Sequence, residues 1–411
     1  MKVTIIMGRG IEGCGVSKYT VEMTKWLERN GHDYTIIASK DKTWSRKDAH
    51  SFKNLMHLKF SVDENIETII NKCNEADFVI VNSLPSRKYG ASKGHDPKVG
   101  INFIRIINEV KSKIVLIQHD HNKLSIVRND GLEEYVKRAD VIFAHSPDGD
   151  FAREVQKMNG TSGFMSFVEN TEPRKIMNFQ PGMYFDEVRQ KYWKPISQQD
   201  KMVHRWVGRT TFWKGFGLMF DFHNNYLKNS GALTVLEGIE KSPAYIDFKN
   251  RFDFTPMLDK NPDKEDLTSH YGDKAVVFSF FKNVELLERM SKSGFGYQLS
   301  LMDPRFIEHS IEYTHCEVAA TGCIPVFRKE YGDACKHIKH GDPLSQCKDS
   351  GTIWLSDSNM QECMDLITRI NNDDSMREDW REKAFEFYKS HQDASVAFDR
   401  LFSDIRNELN V

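Results

Sequence analysis

The sequence predicts an α/β protein made of two facing Rossmann-like domains with a central cleft and a helical C-terminus. Three observations carry the prediction. Short runs rich in Val and Ile alternate with stretches of helical period through the first third; the alternation breaks around residues 165–200 and then resumes; after about residue 358 only helical patterns follow. Continuous apolar strands with helical crossovers mark a parallel sheet covered on both faces. A chain of 411 residues exceeds one ordinary core and suits two such domains.

In the first domain the predicted strands are VTIIM (3–7), YTIIAS (34–39), DFVIVNS (77–83), KIVLIQHD (113–120) and ADVIFAHS (139–146). Helical spacing lies between them at Val16, Tyr19, Met23, Trp26 and Leu27, and across INFIRIINEV (101–110). The polar strand ends, Gln118 to Asp120 and His145 with Ser146, mark the carboxyl edge, where such sheets bind ligands. Pro173, Pro181, Gly182 and Pro195 then interrupt the pattern and read as the linker. The second domain is predicted from VHRWVG (203–208), LTVLEG (233–238), AVVFSF (275–280) and IPVFRK (324–329). The expected divisions are 1–175, 176–385, and a helix over 386–411 that crosses back to the first domain.

Composition narrows the function classes. A hydrophobic fraction of 39% with 11% aromatics excludes a disordered or fibrous chain. No window approaches the length of a membrane span and the opening residues do not read as a secretory leader, so a soluble protein without membrane partners is expected. The seven cysteines are scattered and never form C-x-x-C, which predicts reduced thiols and no zinc site; no metal site is expected at His119 and His121 either. A net charge of −2 gives no global nucleic-acid signature. Two basic segments, SKDKTWSRKDAH (39–50) and SRKYGASKGHDPK (86–98), carry Trp44 and Tyr89 among their charges. They read either as solvated loops or as contacts to a phosphate backbone beside a disturbed base stack.

A literal G-x-G-x-x-G stands at Gly8, Gly10 and Gly13. A dinucleotide site also needs an acidic residue ending the second strand, and Asp41 comes late and among lysines. A P-loop counted from Gly10 and Gly15 puts Val16 at the lysine position, so that reading fails. Two readings survive: a tight strand-to-helix turn, or backbone N–H groups of Gly13, Cys14 and Gly15 holding a phosphate at a helix N-terminus.

In WVGRTTFWKGF (206–216), Arg209 follows a strand end and Lys214 opens a helix five residues later. Two cations at one junction suit a diphosphate, Arg209 as a fork and Lys214 as a point charge. In SKSGFGYQLS (291–300) a turn is predicted at Gly294-Phe295-Gly296, flanked by Ser293 and Tyr297, whose amides approach a sugar or phosphate. Glu317 is placed early in a helix ending at Gly322, where a carboxylate can accept both ribose hydroxyls of a nucleotide. IQHDHN (117–122) groups His119, Asp120 and His121 at a strand's carboxyl end. There Asp120 suits stabilisation of an oxocarbenium-like charge or acceptance of the acceptor's proton, and His119 suits a hydrogen bond to sugar or acceptor hydroxyl. Glu22, about two turns along the first helix, is a second candidate carboxylate whose plain alternative is a solvated helix residue.

Arg209 and Lys214 match a G-R-x4-K-G motif, and Glu317, Gly322, Pro325 and Val326 match the end of an E-x-F-G…E-A-x-x-x-G-x-P-V motif. The chain thereby resembles the retaining GT-B glycosyltransferases, with Ser293 aligned where that family carries its first glutamate. GRGIEGCGVSKY, QHDHNKLSIVRNDGLEE, ADVIFAHS, GRTTFWKGF, FDFH, LERMSKSGFGYQLS and EYTHCEVAATGCIPVF extend a closer resemblance over nearly the whole chain, to the DNA α-glucosyltransferases of T-even bacteriophages. That resemblance implies transfer of glucose from UDP-glucose onto 5-hydroxymethylcytosine in double-stranded phage DNA, with the target base flipped out and the sugar's configuration retained. It implies a DNA-binding first domain, a nucleotide-sugar-binding second domain, and His119 and Asp120 in the catalytic centre.

The donor site is then expected from Gly13, Cys14, Gly15, Arg209, Lys214, Ser293 to Tyr297 and Glu317, and the DNA contacts from Lys40, Lys42, Trp44, Arg46, Lys47, Arg87, Lys88 and Arg128. No cofactor beyond the UDP-sugar substrate is expected, the state is a monomer, and the location is the cytoplasm of the infected host. UDP-arabinose stays open as donor, because relatives in other phages attach that pentose. Two readings of other kinds also stay open: a glycosyltransferase acting on lipid or cell-wall sugars, which would show a basic amphipathic helix in the first domain, and a non-catalytic nucleotide-binding module.

Overall fold

The computed structural model of the chain describes residues 1–8, 15–41, 52–83, 98–119, 132–144, 176–208, 214–237, 276–279, 283–300, 311–337 and 340–411. Among them the Val- and Ile-rich runs form two wholly parallel sheets. The first sheet holds β1 (Lys2–Met7), β2 (Asp33–Ser39), β3 (Leu55–Leu58), β4 (Phe78–Ser83), β5 (Lys113–Gln118), β6 (Val141–Ala144) and β7 (Ile176–Asn178), in the order 3-2-1-4-5-6-7. Its helices are α1 (Gly15–Arg29), α2 (Asp63–Asn74), α3 (Lys98–Glu109) and α4 (Leu132–Arg138).

Strands β4 to β6 are buried almost end to end, which is why they read as unbroken apolar runs rather than alternating ones. Helix α2 turns Ile66, Ile69, Ile70 and Cys73 to the sheet and α3 turns Phe103, Ile106 and Ile107, each on one helical face. These side chains join Phe60, Val79, Val81, Ile114 and Leu116 in one core.

The second sheet holds β8 (Asp200–Val207), β9 (Leu233–Glu237), β10 (Val276–Ser279), β11 (Ser293–Gln298), β12 (Ile324–Arg328) and β13 (Ile353–Leu355), in the order 10-9-8-11-12-13. Its helices are α5 (Phe185–Tyr192), α6 (Phe216–Asn225), α7 (Asn283–Ser291), α8 (Tyr313–Ala320), α9 (Lys329–Ala334), α10 (Met360–Asn372) and α11 (Asp374–Gln392). Leu218, Phe222, Ile367 and Ile370 cover one face of this sheet, and Phe185, Met290, Val318, Phe385 and Tyr388 the other. In both sheets the order reverses beside the first strand, between β1 and β4 and between β8 and β11; ligands of such folds bind at the carboxyl ends of these switch points.

One compact unit comprises Met1–Gly182 with Ala394–Val411, and the other lies between Met183 and Asp393, so the divisions fall at 182 and 393 where 175 and 385 were expected. The last helix, α12 (Ala394–Leu409), belongs to the first unit. Phe402 stacks on Trp26 of α1 at 4.4 Å, and the Trp26 indole donates to Asp399 at 2.7 Å. No described helix is long and apolar enough to cross a membrane.

One prediction is corrected outright. Ser293 to Tyr297 form no turn; they lie in β11, a fully buried strand between β8 and β12. The two glycines permit close approach. A Cβ on Gly294 would come within 2.6 Å of the Lys201 carbonyl oxygen, and one on Gly296 within 2.6 Å of a Val318 methyl. The short strands β3, β7 and β13 carry too few residues to show a period and are not anticipated by the sequence.

Candidate active site

At the first switch point, β4 ends in Asn82 and Ser83, and β5 runs out into His119. Because β4 and β5 are paired neighbours, the two ends lie side by side, and His119 Nε2 sits 2.8 Å from Asn82 Oδ1. The edges of Tyr19 and Phe179 meet the His119 ring at 5.0 Å and 4.9 Å between centroids. Glu22 projects from the buried side of α1 with 6% of its surface exposed, and Lys25 pairs with it at 3.3 Å. It is therefore not a solvated helix residue. Gly15 opens α1, a start that both readings of the glycine stretch share, while Gly13, Cys14 and Asp120 lie outside the described residues.

Asp41 decides the dinucleotide question. Its carboxylate accepts from the backbone N–H of Phe60 at 2.6 Å, from that of Ser61, and from the hydroxyls of Ser39 and Ser61. The acid at the end of the second strand is thus consumed by the chain's own loop and has no role in holding a ribose.

At the second switch point, Lys214 precedes α6 and Gly215 caps it in the left-handed conformation (φ +68°). Any Cβ on Gly215 would overlap the Leu299 carbonyl, so only glycine fits. The Lys214 ammonium donates to both oxygens of Glu312, at 2.6 Å and 2.8 Å, and to Ser300 Oγ at 3.2 Å. Gln298, the last residue of β11, donates to Glu312 at 2.7 Å and accepts from the Ser300 hydroxyl at 3.0 Å. Glu312 also caps α8: its side chain accepts from the His315 N–H, while its own N–H donates to His315 Nδ1 at 3.2 Å. Glu317, one turn further along α8, is 4% exposed. Lys214, Gln298, Ser300 and Glu312 therefore belong to one carboxyl edge, a surface equipped for anionic and hydroxylated groups.

The burial of β11 removes Ser293, Gly294, Phe295, Gly296 and Tyr297 from this edge. Ser293 sits at the strand's amino end, accepting from Arg205 at 2.8 Å and donating to the Arg289 carbonyl at 2.9 Å. Phe295 stacks on His204 at 4.7 Å, and the Tyr297 hydroxyl lies 2.6 Å from His204 Nδ1. All are spent within the protein. Sequence reasoning missed Glu312, Gln298 and Ser300. A carboxylate five residues before Glu317, at the start of the same helix, was the available signal.

Lys40 is exposed just after β2. Arg209, Lys42, Trp44, Arg46, Lys47, Arg87, Lys88 and Arg128 lie outside the described residues. Burial pushes the thiols of Cys73, Cys323 and Cys363 up to about 12, which makes them poor nucleophiles. Among the described residues, no group of three or more His, Cys, Asp or Glu is arranged to hold a metal ion.

Two doubly wound parallel sheets, each with a polar network at its switch point, and a final helix that returns to the first unit define the GT-B class of glycosyltransferase fold. The family model for DNA alpha-glucosyltransferase matches residues 14–375. The DNA alpha-glucosyltransferase of Enterobacteria phage T4 is 38% identical over 408 residues, covering 98% of this chain and 100% of that protein. The chain belongs to the DNA alpha-glucosyltransferase family. Two solved structures agree in fold at a TM-score of 0.87. One is an alpha-glucosyltransferase in complex with UDP-glucose and DNA containing an abasic site (38% identity, 98% of this chain and 99% of that one). The other is an alpha-glucosyltransferase in complex with UDP and a 13-mer DNA containing a HMU base (37% identity, all of both chains).

Proposed function

We propose that this protein transfers glucose from UDP-glucose to the hydroxymethyl oxygen of 5-hydroxymethylcytosine in double-stranded phage DNA. The observation that carries the reading is the full-length match to the T4 DNA alpha-glucosyltransferase. The bond from the sugar's anomeric carbon to the UDP oxygen breaks, and a bond from that carbon to the hydroxymethyl oxygen forms. An α-linked donor giving an α-linked product retains configuration. The base inside a duplex is shielded, so it swings out before reaction at a cost of a few kcal/mol.

In this reading Lys214, with Arg209 and the amides from Gly13 to Gly15, meets the charge growing on the departing diphosphate; preorganised donors of this kind contribute about 3–4 kcal/mol each. Glu317 takes the ribose hydroxyls. Asp120, with Glu22 in support, stabilises the positive charge developing at the anomeric carbon, and His119 orients the acceptor hydroxyl and accepts its proton as the new bond forms. The contacts of His119 with Asn82 and Tyr19 just beyond the end of β5 support its role, and Glu22 is a buried carboxylate on the same helix as Tyr19. The donor is a substrate and the scheme needs no cofactor. The work belongs in the cytoplasm of the infected bacterium, where UDP-sugars and phage DNA meet.

The direct test incubates a hydroxymethylated duplex with UDP-glucose or with UDP-arabinose and weighs the released nucleosides. A hexose adduct from UDP-glucose is expected. A pentose adduct alone would reassign the donor, and no added mass from either sugar would overturn the reading.

A further inference from the structure

We infer that Asn82 is a positioning residue for His119: it fixes the orientation of the ring and sets Nε2 as the nitrogen that carries the proton when the ring is neutral. The inference rests on the proposed role of His119 at the acceptor hydroxyl. Asn82 is the penultimate residue of β4, and its side chain is fully buried. Its amide nitrogen donates to Thr20 Oγ1 at 2.7 Å and points to the Val16 carbonyl at 3.5 Å. The Thr20 hydroxyl is itself committed as a donor, to the Val16 carbonyl at 3.1 Å. A carbonyl only accepts, so the Thr20 proton goes to Val16, and the Thr20 oxygen must accept from Asn82.

This settles the orientation of the amide by its partners. Oxygen Oδ1, which can only accept, is the atom 2.8 Å from His119 Nε2. Nε2 therefore carries the hydrogen, and the neutral ring keeps its lone pair on Nδ1. Tyr19 and Phe179, edge-on to the ring, restrict its rotation. The chain Val16–Thr20–Asn82–His119 thus runs from the first turns of α1 to the end of β5.

An amide is the fitting choice here. A carboxylate would fix the same proton, but its charge would stabilise the imidazolium and hold the ring protonated at higher pH. A neutral acceptor orients the ring and leaves it able to take a proton.

The test uses the full-length protein and four variants: Asn82→Asp, Asn82→Ala, Thr20→Val and His119→Ala. Turnover of UDP-glucose on hydroxymethylated DNA is followed from pH 5 to 9, and the tautomer of the His119 ring is read by nitrogen NMR. The Nε2–H form is expected in the unaltered protein and a mixture in Asn82→Ala. Asn82→Asp, nearly the same size, keeps the fold and moves the acid limb of kcat up by about 1–3 pH units. Asn82→Ala and Thr20→Val lower kcat by about 10- to 100-fold while KM for UDP-glucose stays within about twofold. An Nδ1–H ring in the unaltered protein, or an unmoved acid limb in Asn82→Asp with kcat intact in Asn82→Ala, overturns the inference. Full turnover in His119→Ala would instead overturn the underlying role of His119, and the NMR tautomer would still decide what Asn82 does.

Discussion

Lys214 is a residue whose position the sequence shows and whose partner it hides. A lysine beside a glycine, just after an apolar strand, marks a strand-to-helix junction. Nothing nearby in the chain marks Glu312, 98 residues on, as the group that meets its charge at 2.6 Å. The pair is only part-buried, so it contributes little to stability, about 1 kcal/mol or less. In the proposed scheme the same ammonium contributes far more to the transition state. Lys214→Met is therefore expected to lower kcat/KM for UDP-glucose by about 10²- to 10³-fold, with the urea midpoint nearly unmoved. A collapse of stability that parallels the loss of turnover would assign Lys214 to the fold instead. His119 is legible for a related reason, since a polar cluster ending an apolar strand has no local explanation. Asn82 is not, because one asparagine near the end of DFVIVNS looks like any strand end until Thr20 is placed beside it.

Among the elements, β11 shows how a short-range cue misleads. Two glycines separated by one residue favour a turn when read locally, yet here they let a central strand lie against Lys201 and Val318. The strand also makes a buried environment with consequences for pH. His204 of β8, enclosed between Phe295 and Tyr297, is pushed down to about 3 by burial, with the nearby Arg377 charge adding to the shift. Burial likewise lowers His391 of α11 to about 3, and His223 of α6 to about 4. These rings stay neutral when folded, while the unfolded chain takes up protons below about pH 6.5. The unfolded state thus binds more protons between the two values, and stability falls as pH drops through that window. Each ring costs up to about 1.4 kcal/mol per pH unit below 6.5. Urea midpoints at pH 7, 6 and 5 are expected to decline, and His204→Phe to decline less steeply. Equal slopes for the two proteins would contradict the assignment.

For the molecule as a whole, charge is the deciding property. The net charge is −2, yet the proposed substrate is a polyanion. In the proposed function, DNA binding rests on local concentrations of Lys and Arg, such as those in the sequence at 39–50 and 86–98. Each phosphate neutralised releases counterions, so log affinity should fall against log salt with a slope of about −0.9 per contact. Fluorescence anisotropy of a hydroxymethylated duplex between about 50 and 200 mM salt should show a steep loss of affinity. A flat response would count against the basic segments as the DNA surface.

By itself the sequence determined the α/β class, the positions of most long strands and the family resemblance. It also marked His119, Glu22, Lys214 and Glu317 as candidates. Those features are set by periodicity and strand ends, which residues within a few positions of one another fix. Only the tertiary structure decided that Asp41 is spent on its own loop, that SGFGYQ is a buried strand, and that Glu312 and Asn82 stand beside Lys214 and His119. A hydrogen-bond partner 37 or 98 residues away is chosen by which strand ends the fold brings together, and no local pattern records that choice.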